Sequence, residues 1–254
     1  MTMVFMIFLY VWQKNKLYNQ IMKVAILQSS YIPWIGYFKL IQDVDIFVFY
    51  DSVQYSKNDF RNRNKIISNN GIQWLTIPVF KKLDTAIKDV RIAQNNWHIK
   101  HFKTIKSNYC KSINFNKNED FLSKTYDEVA QFDYLTDINI YFLRNIIIRL
   151  GIKTKCIKDT DIDYSKDNTI YSENYPTNKI IKILKYLNAS EYVSGAKAKN
   201  YLDVTAFISE DIKLTWYKYP KPIYRDLKGN KLNQNLSIWH NLLCSEDDFK
   251  DFFN

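Results

Sequence analysis

Arg61 and Arg63 are two of only six arginines in a chain with 36 basic residues; lysine supplies the rest. They lie in the run from Lys57 to Lys65, which reads Lys-Asn-Asp-Phe-Arg-Asn-Arg-Asn-Lys. A guanidinium grips phosphate or carboxylate through two parallel N–H bonds, a geometry that an ammonium lacks. The pair therefore reads as an anion clamp for a nucleotide or a carboxylated substrate. Asn62 and Asn64 add donors on the alternate face. The plainer reading is a solvated turn whose surface ion pairs are each worth about 0–1 kcal/mol.

His98 and His101 stand three residues apart, a spacing that can place two imidazoles on one metal. No third ligand has a recognisable spacing, so no metal is assigned. His101 fits better as a general base or a phosphate contact, because free imidazole titrates near ~6.5. A capping or surface histidine fits the same spacing. Ser194 and Gly195 fall where a strand should turn toward a helix, and backbone N–H groups there can face an anion. The chain has no Gly-rich dinucleotide fingerprint, no P-loop and no Gly-x-Ser-x-Gly elbow. The residues assign no cofactor.

These side chains need elements to position them. Lys23–Leu27 is a short apolar run that ends in polar residues, as a buried strand does. Gly36 to Val44 suits a helix, Asp45 to Tyr50 a second strand, and Gln73 to Val79 a third, with Pro78 at an edge or strand end. Helices follow over Trp97–Lys111 and Asp133–Leu150, the second stopped by Gly151 at the position after the helix. Thr154–Ile157 reads as a strand, Asn178–Leu187 as a helix of period 3.6, and Glu191–Val193 as a strand. A helix over Tyr201–Phe207 and a strand over Asp211–Tyr217 complete the pattern. Strands alternating with helices predict an α/β fold: Rossmann-like, three-layered, with a mostly parallel sheet and a helical portion.

In such sheets ligands bind beyond the carboxyl ends of the strands. Those ends read Gln28-Ser-Ser-Tyr31, Asp51-Ser-Val-Gln-Tyr55, Ser194-Gly195 and Tyr217-Lys-Tyr219. Any strand must end in a polar loop, but the recurrence of serine and tyrosine points to a shared site. Asp51 becomes a candidate base, with Gln28, Tyr31, Gln54 and Tyr55 as candidate ligand contacts beside Trp34.

Composition narrows the classes. The chain has 254 residues, 46% hydrophobic and 24% charged, so it should bury a core. No apolar run reaches the length of a spanning helix, about 18 residues, so no stable membrane insertion is expected. The three scattered cysteines, Cys110, Cys156 and Cys244, exclude a disulfide scaffold and suit a reducing cytosol. A net charge of +10 raises a nucleic-acid partner. The lysines, however, are spread along the chain and accompany many Ile and Asn, as in AT-rich coding sequence. Lys179, Lys182 and Lys185 alternate with Ile180, Ile183 and Leu184, a solvated face opposite a core face. Nucleic acid is therefore not assigned as a partner. Residues 1–21 read as an N-terminal extension, either upstream of a start at Met22, an interfacial anchor or an extra core helix, and 22–254 as a single domain.

The run from Gln28 to Phe38 (QSSYIPWIGYF) is unusual in composition. With Asp45–Asp51, Val53–Lys57, Phe60–Asn64 and Trp74–Val79 it resembles the WbqC-like family. Trp97, His101, Tyr109, Tyr192–Gly195, Tyr201–Asp203, Tyr224 and Leu236–Ile238 extend the resemblance over about residues 22 to 245. Members of that family are associated with O-antigen and other surface-polysaccharide gene clusters and are described as enzymes of sugar modification. Two positions depart from it. His240 stands where Asp or Asn is usual, and Ser29-Ser30 where relatives carry Pro-Asn or Ser-Asn.

The resemblance and the strand ends together predict a cytoplasmic enzyme, a transferase that modifies a nucleotide-linked sugar. The reaction class expected is acyl or aminoacyl transfer to an amino-sugar, with Asp51 or His101 as base. Arg61 and Arg63 would hold the diphosphate, and Gln28, Tyr31 and Ser194 the sugar or donor. The expected partner is a nucleotide-sugar or another anionic small molecule; no oligomeric state is assigned. The rival expectation is a non-catalytic scaffolding subunit of a polysaccharide-biosynthesis complex, since 19 tyrosines suit an interface as well as a ligand cleft.

Overall fold

The computed structural model describes residues 21–80, 84–164 and 166–245; residues 1–20 of the expected extension lie outside them. Its centre is a five-stranded parallel sheet built from β1 (Lys23–Leu27), β2 (Ile46–Phe49), β5 (Lys155–Lys158), β6 (Glu191–Gly195) and β7 (Lys213–Tyr217). The strand order is β5-β2-β1-β6-β7. The chain winds outward from β1 through β2 to β5, then returns beside β1 and winds the other way. The direction reverses between β1 and β6, which is where open α/β sheets leave a crevice.

A strand covered on both faces must be apolar at successive positions. In β1 and β2 that is the case, and the alternate residues serve two separate cores. Ala25, Phe47, Phe49 and Val193 face one layer, which holds α1 (Ile35–Gln42) and α4 (Leu135–Arg149). Val24, Ile26, Ile46, Val48 and Tyr192 face the other, which holds α5 (Tyr175–Tyr186) and α6 (Val204–Ser209). The fold is thus a mixed α/β structure of Rossmann-like three-layer form. The first layer is thickened by α2 (Trp97–Tyr109), α3 (Phe115–Glu128) and α7 (Ile238–Cys244).

The strand expected at Gln73–Val79 does not join this sheet. β4 (Gly71–Thr76) pairs antiparallel with β3 (Arg63–Ser68) in a separate ribbon. The arginine-rich run is therefore a turn as far as Asn62, and from Arg63 it opens a strand. Asn64 and Ile66 point inward while Arg63 and Lys65 are only half-buried. An asparagine in an inward position hid the period-2 pattern. α3 was hidden in the same way, because its buried face includes Asn118 and Thr125. In α7 every residue from Ile238 to Leu243 is buried, which leaves no periodicity to read. Gly151, by contrast, takes φ +71° after α4 and closes the helix as its position required. A second pair of short strands, β8 (Tyr224–Arg225) and β9 (Lys231–Leu232), precedes α7.

Candidate functional site at the carboxyl edge of the sheet

Three strand ends, those of β1, β2 and β5, meet in one hydrogen-bonded network. Asp51, just past β2, is buried; its Oδ1 accepts from the Ser29 N–H at 2.8 Å, and its Oδ2 accepts from Thr136 Oγ1 at 2.5 Å. Ser29 follows β1, and its Oγ accepts from Asn139 Nδ2 at 3.3 Å. Asn139 also donates to the Arg61 carbonyl at 2.9 Å. Arg61 Nη1 donates to the carbonyls of Gln28 and Ser29, both at 3.0 Å. Its Nε lies 3.5 Å from Asp59 Oδ2. Tyr37 closes the network with an O–H bond of 3.0 Å to the Gln28 carbonyl. Burial raises the Asp51 carboxyl above its ordinary value, against the downward pull of its bonds from Ser29 and Thr136. Burial likewise raises the Tyr37 phenol, with Arg61 pulling it down and Asp51 and Tyr219 pushing it up. All of these groups therefore sense one another.

An aromatic group stands at the reversal between β1 and β6. Trp34 precedes α1, and its indole lies over Gly36. A Cβ on Gly36 would be 2.3 Å from the ring, so this approach requires glycine. The Trp34 and Tyr219 rings are 5.4 Å apart. Tyr219 also reaches the end of β6: a Cβ on Gly195 would stand 3.3 Å from its hydroxyl. Ser194, one residue earlier, is buried. The loop between β1 and α1 contains Ile32 at φ +38°, an uncommon value for a β-branched residue. It is held there by Asn64, whose Nδ2 donates to the carbonyls of Tyr31 at 3.1 Å and Ile32 at 2.9 Å.

The outer side of Asp51 carries a third group. Asp159, just past β5, accepts from the N–H of Asp51 at 3.1 Å, from the N–H of Ser52 at 3.3 Å, and from the Ser52 hydroxyl. Lys179 of α5 donates to Ser52 Oγ at 2.8 Å and to the Ser52 carbonyl at 3.3 Å, and its Nζ sits 5.1 Å over the Tyr50 ring. The expectation of a solvated lysine face is corrected here. Lys182 bonds the Asp167 carbonyl and Lys185 pairs with Glu210, but Lys179 is half-buried against Ser52. α5 begins beside the sheet's carboxyl edge, and its first turns bring Lys179 over β2.

Of the candidates read from the sequence, Gln28, Trp34, Asp51, Arg61, Ser194 and Gly195 are gathered at this edge. The others are placed elsewhere. Tyr31 is fully buried, and its hydroxyl is 2.8 Å from both His101 Nδ1 and the Tyr126 hydroxyl. His101 is buried, and desolvation lowers its pKa to about 4, so the ring is neutral at pH 7. Gln54 is exposed and bonds Asp84 at 2.9 Å. Tyr55 bonds Asn62 at 2.9 Å. Arg63 lies 4.4 Å over Trp74 on the ribbon, so the two guanidinium groups do not form one clamp. Asn62 and Asn64 turn inward to pin the backbone rather than outward as donors. Sequence reasoning missed Thr136, Asn139, Asp159 and Lys179. Asp159 alone had a legible signal, since it ends a strand as Asp51 does.

Among the described residues, no group of three or more His, Cys, Asp or Glu side chains is placed to hold a metal ion. No described helix is long and apolar enough to cross a membrane.

The fold and its edge define an α/β protein of Rossmann-like form with a polar, aromatic-walled site at the strand reversal. Residues 28–249 match the WbqC-like protein family, and the chain belongs to it. It is 36% identical over 208 residues to the uncharacterised protein Rv1507c of Mycobacterium tuberculosis (strain ATCC 25618 / H37Rv), covering 81% of this chain and 85% of that one. No solved structure matches the chain.

Proposed function

We propose that the protein is an enzyme of bacterial surface-polysaccharide (O-antigen) biosynthesis that transfers an acyl or aminoacyl group to the amine of a nucleotide-linked amino-sugar. One observation carries this reading: a strand-end hydrogen-bond network lies beside the wall formed by Trp34, Tyr219 and Gly195. A sugar offers C–H faces that pack on aromatic rings and hydroxyls that exchange hydrogen bonds, and this edge presents partners for both. Arg61 and the N-terminal turn of α1 supply positive charge for the diphosphate. Asp51 takes the proton leaving the sugar amine by way of the Thr136 hydroxyl that it holds at 2.5 Å. A carboxylate made more basic by burial suits that task. His101 is left out, because its ring is committed to Tyr31 inside the core.

The test incubates purified protein with a panel of amino-sugar nucleotides and acyl thioesters or aminoacyl donors, and reads product masses. A mass gain on one sugar is expected, and it should disappear in Asp51→Asn while the circular dichroism spectrum is retained. No product across the panel, together with no thermal shift from any nucleotide-sugar, overturns the reading. The scaffolding alternative is favoured by one feature, the exposed Phe60 and Trp74 rings 5.9 Å apart on the ribbon. Stable co-purification of a biosynthetic partner without turnover would favour it.

A further inference from the structure

The outer face of the β3–β4 ribbon takes no part in the site, yet it gathers aromatic rings and cations at the surface. The register sets Lys65 opposite Trp74 and Arg63 opposite Thr76, so these side chains share one face. Burial alternates along the second strand and beyond it: Leu75 and Ile77 are buried, while Trp74, Thr76 and Phe80 are exposed. Phe60 is 43% exposed, Trp74 41% and Phe80 63%. The Phe80 N–H donates to the Arg91 carbonyl at 2.9 Å, and Arg91, itself exposed, lies 5.7 Å over the Tyr134 ring. The aromatic and cationic surface thus runs on past the ribbon.

Grouped exposed rings mark a surface that something covers, and the cations indicate its charge. Lys65 Nζ spends one donor on Gln234 Oε1 at 2.7 Å, and Arg63 Nη2 bonds the Asn58 carbonyl; each keeps further N–H groups. Asp59, beside Phe60, already faces Arg61 at 3.5 Å. With a net charge of +10, the face suits an anionic partner. A partner that stacks fits less well. Arg63 at 4.4 Å and Lys65 at 5.2 Å already cover Trp74, and Phe60 is tilted 39° from it, so no pair of parallel rings awaits a base. A lipid surface makes no such demand: it takes ring edges into its apolar margin and meets cations with phosphate.

We propose that this face docks the protein on an anionic lipid surface. Phe60, Trp74 and Phe80 enter the headgroup region, and Arg63, Lys65 and Arg91 meet the lipid phosphates. The protein adsorbs and does not span. The root of the ribbon is bonded to the sheet edge, because the Phe60 carbonyl accepts from the Tyr31 N–H at 3.1 Å and Arg61 Nη1 donates to the Gln28 and Ser29 carbonyls. Adsorption therefore brings the candidate site close to the headgroups. Docking is independent of the acyl-transfer reading, and either can fail without the other.

Sedimentation of the full chain with vesicles tests this. Binding is expected to vesicles of phosphatidylglycerol mixed with phosphatidylcholine, to weaken as salt is raised, and to be slight on phosphatidylcholine alone. Lys65→Gln and Arg91→Gln should each lower the partition constant about fivefold. Trp74→Ser with Phe80→Ser should lower it about tenfold or more. Thermal melts of each variant separate loss of docking from loss of fold. Trp74→Phe keeps an apolar ring, so it should still bind, yet lose most of the fluorescence quenching that brominated acyl chains cause in the wild type. No binding to anionic vesicles, or equal binding to neutral ones, overturns the proposal. Undiminished binding in the double aromatic variant does so as well, because adsorption would then belong to residues 1–21 or to the dispersed lysines. Retention of single-stranded RNA or of a protein partner that these variants lose, without vesicle binding, also overturns it and assigns the face to that partner.

Discussion

Tyr31 illustrates how one hydroxyl decides between a ligand contact and a core strut. Its position after β1 suits either role. Its oxygen, however, is shared between His101 Nδ1 and the Tyr126 hydroxyl, and Tyr126 in turn accepts from Trp239 Nε1 at 3.2 Å. The chain of bonds runs entirely through buried groups, so removing one member leaves others without a partner. Tyr31→Phe keeps the ring and its packing against Trp97 and Phe142. It should lower unfolding free energy by about 1–3 kcal/mol, the cost of stranding buried polar groups. Urea denaturation measures this, and an unchanged midpoint would show that the hydroxyl carries no structural burden. Arg61 makes the same point at the site itself, since its Nη1 bridges two carbonyls of the turn that a substrate must approach.

Elements position the site through their ends. β1, β2 and β5 are short, and each gives way within two residues to a polar side chain of the site, Gln28, Asp51 and Asp159. The β1–α1 turn is the least relaxed of these, with Ile32 at positive φ and three side chains (Arg61, Asn64 and Tyr37) bonded to its backbone. Such over-determined strain is typical of segments that must hold one shape for function. α4 brings Thr136 and Asn139, one turn apart, under that loop, and Gly151 ends the same helix. The position at Gly151 offers a clean measurement, because a Cβ there meets nothing within 4 Å while φ is +71°. Gly151→Ala should therefore cost only the left-handed backbone penalty, about 1–2 kcal/mol. In a chain of this size that is a fall of roughly 2–8 °C in melting temperature. Calorimetry reads it directly, and no fall would mean that the helix ends by another route.

At the scale of the whole molecule, all three histidines are buried, and for two of them burial shifts the titration. His101 and His240 both have pKa values lowered to about 4 by burial. The unfolded chain takes up these protons near pH ~6.5, where a free imidazole titrates. The folded state resists until about pH 4. Their contribution is thus fully present above the unfolded value and is lost as pH falls through this window. Each ring accounts for about 3 kcal/mol at most. Asp51 acts with the opposite sign, because its folded pKa is raised and it favours the fold as pH falls. With two groups against one, urea midpoints at constant ionic strength should decline between pH 6.5 and 4. A flat profile would place the imidazoles in solvent.

Sequence alone determined the alternation of strands and helices, the apolar character of β1 and β2, the stop at Gly151 and the edge where polar residues gather. Each of these follows from local periodicity or from one residue's backbone preference. The family was legible as well, in the unusual run from Gln28 to Phe38, and residues 28–249 match it. Only the tertiary structure decided which way polar side chains turn. Asn62 and Asn64 face inward because backbone carbonyls of distant segments await them there. Arg61 bends to the β1 turn, Arg63 lies on Trp74, and Lys179 leaves its solvated stripe for Ser52. A polar residue is buried or exposed according to whether a partner from another element arrives within hydrogen-bond distance, and that partner is set by packing across the whole fold.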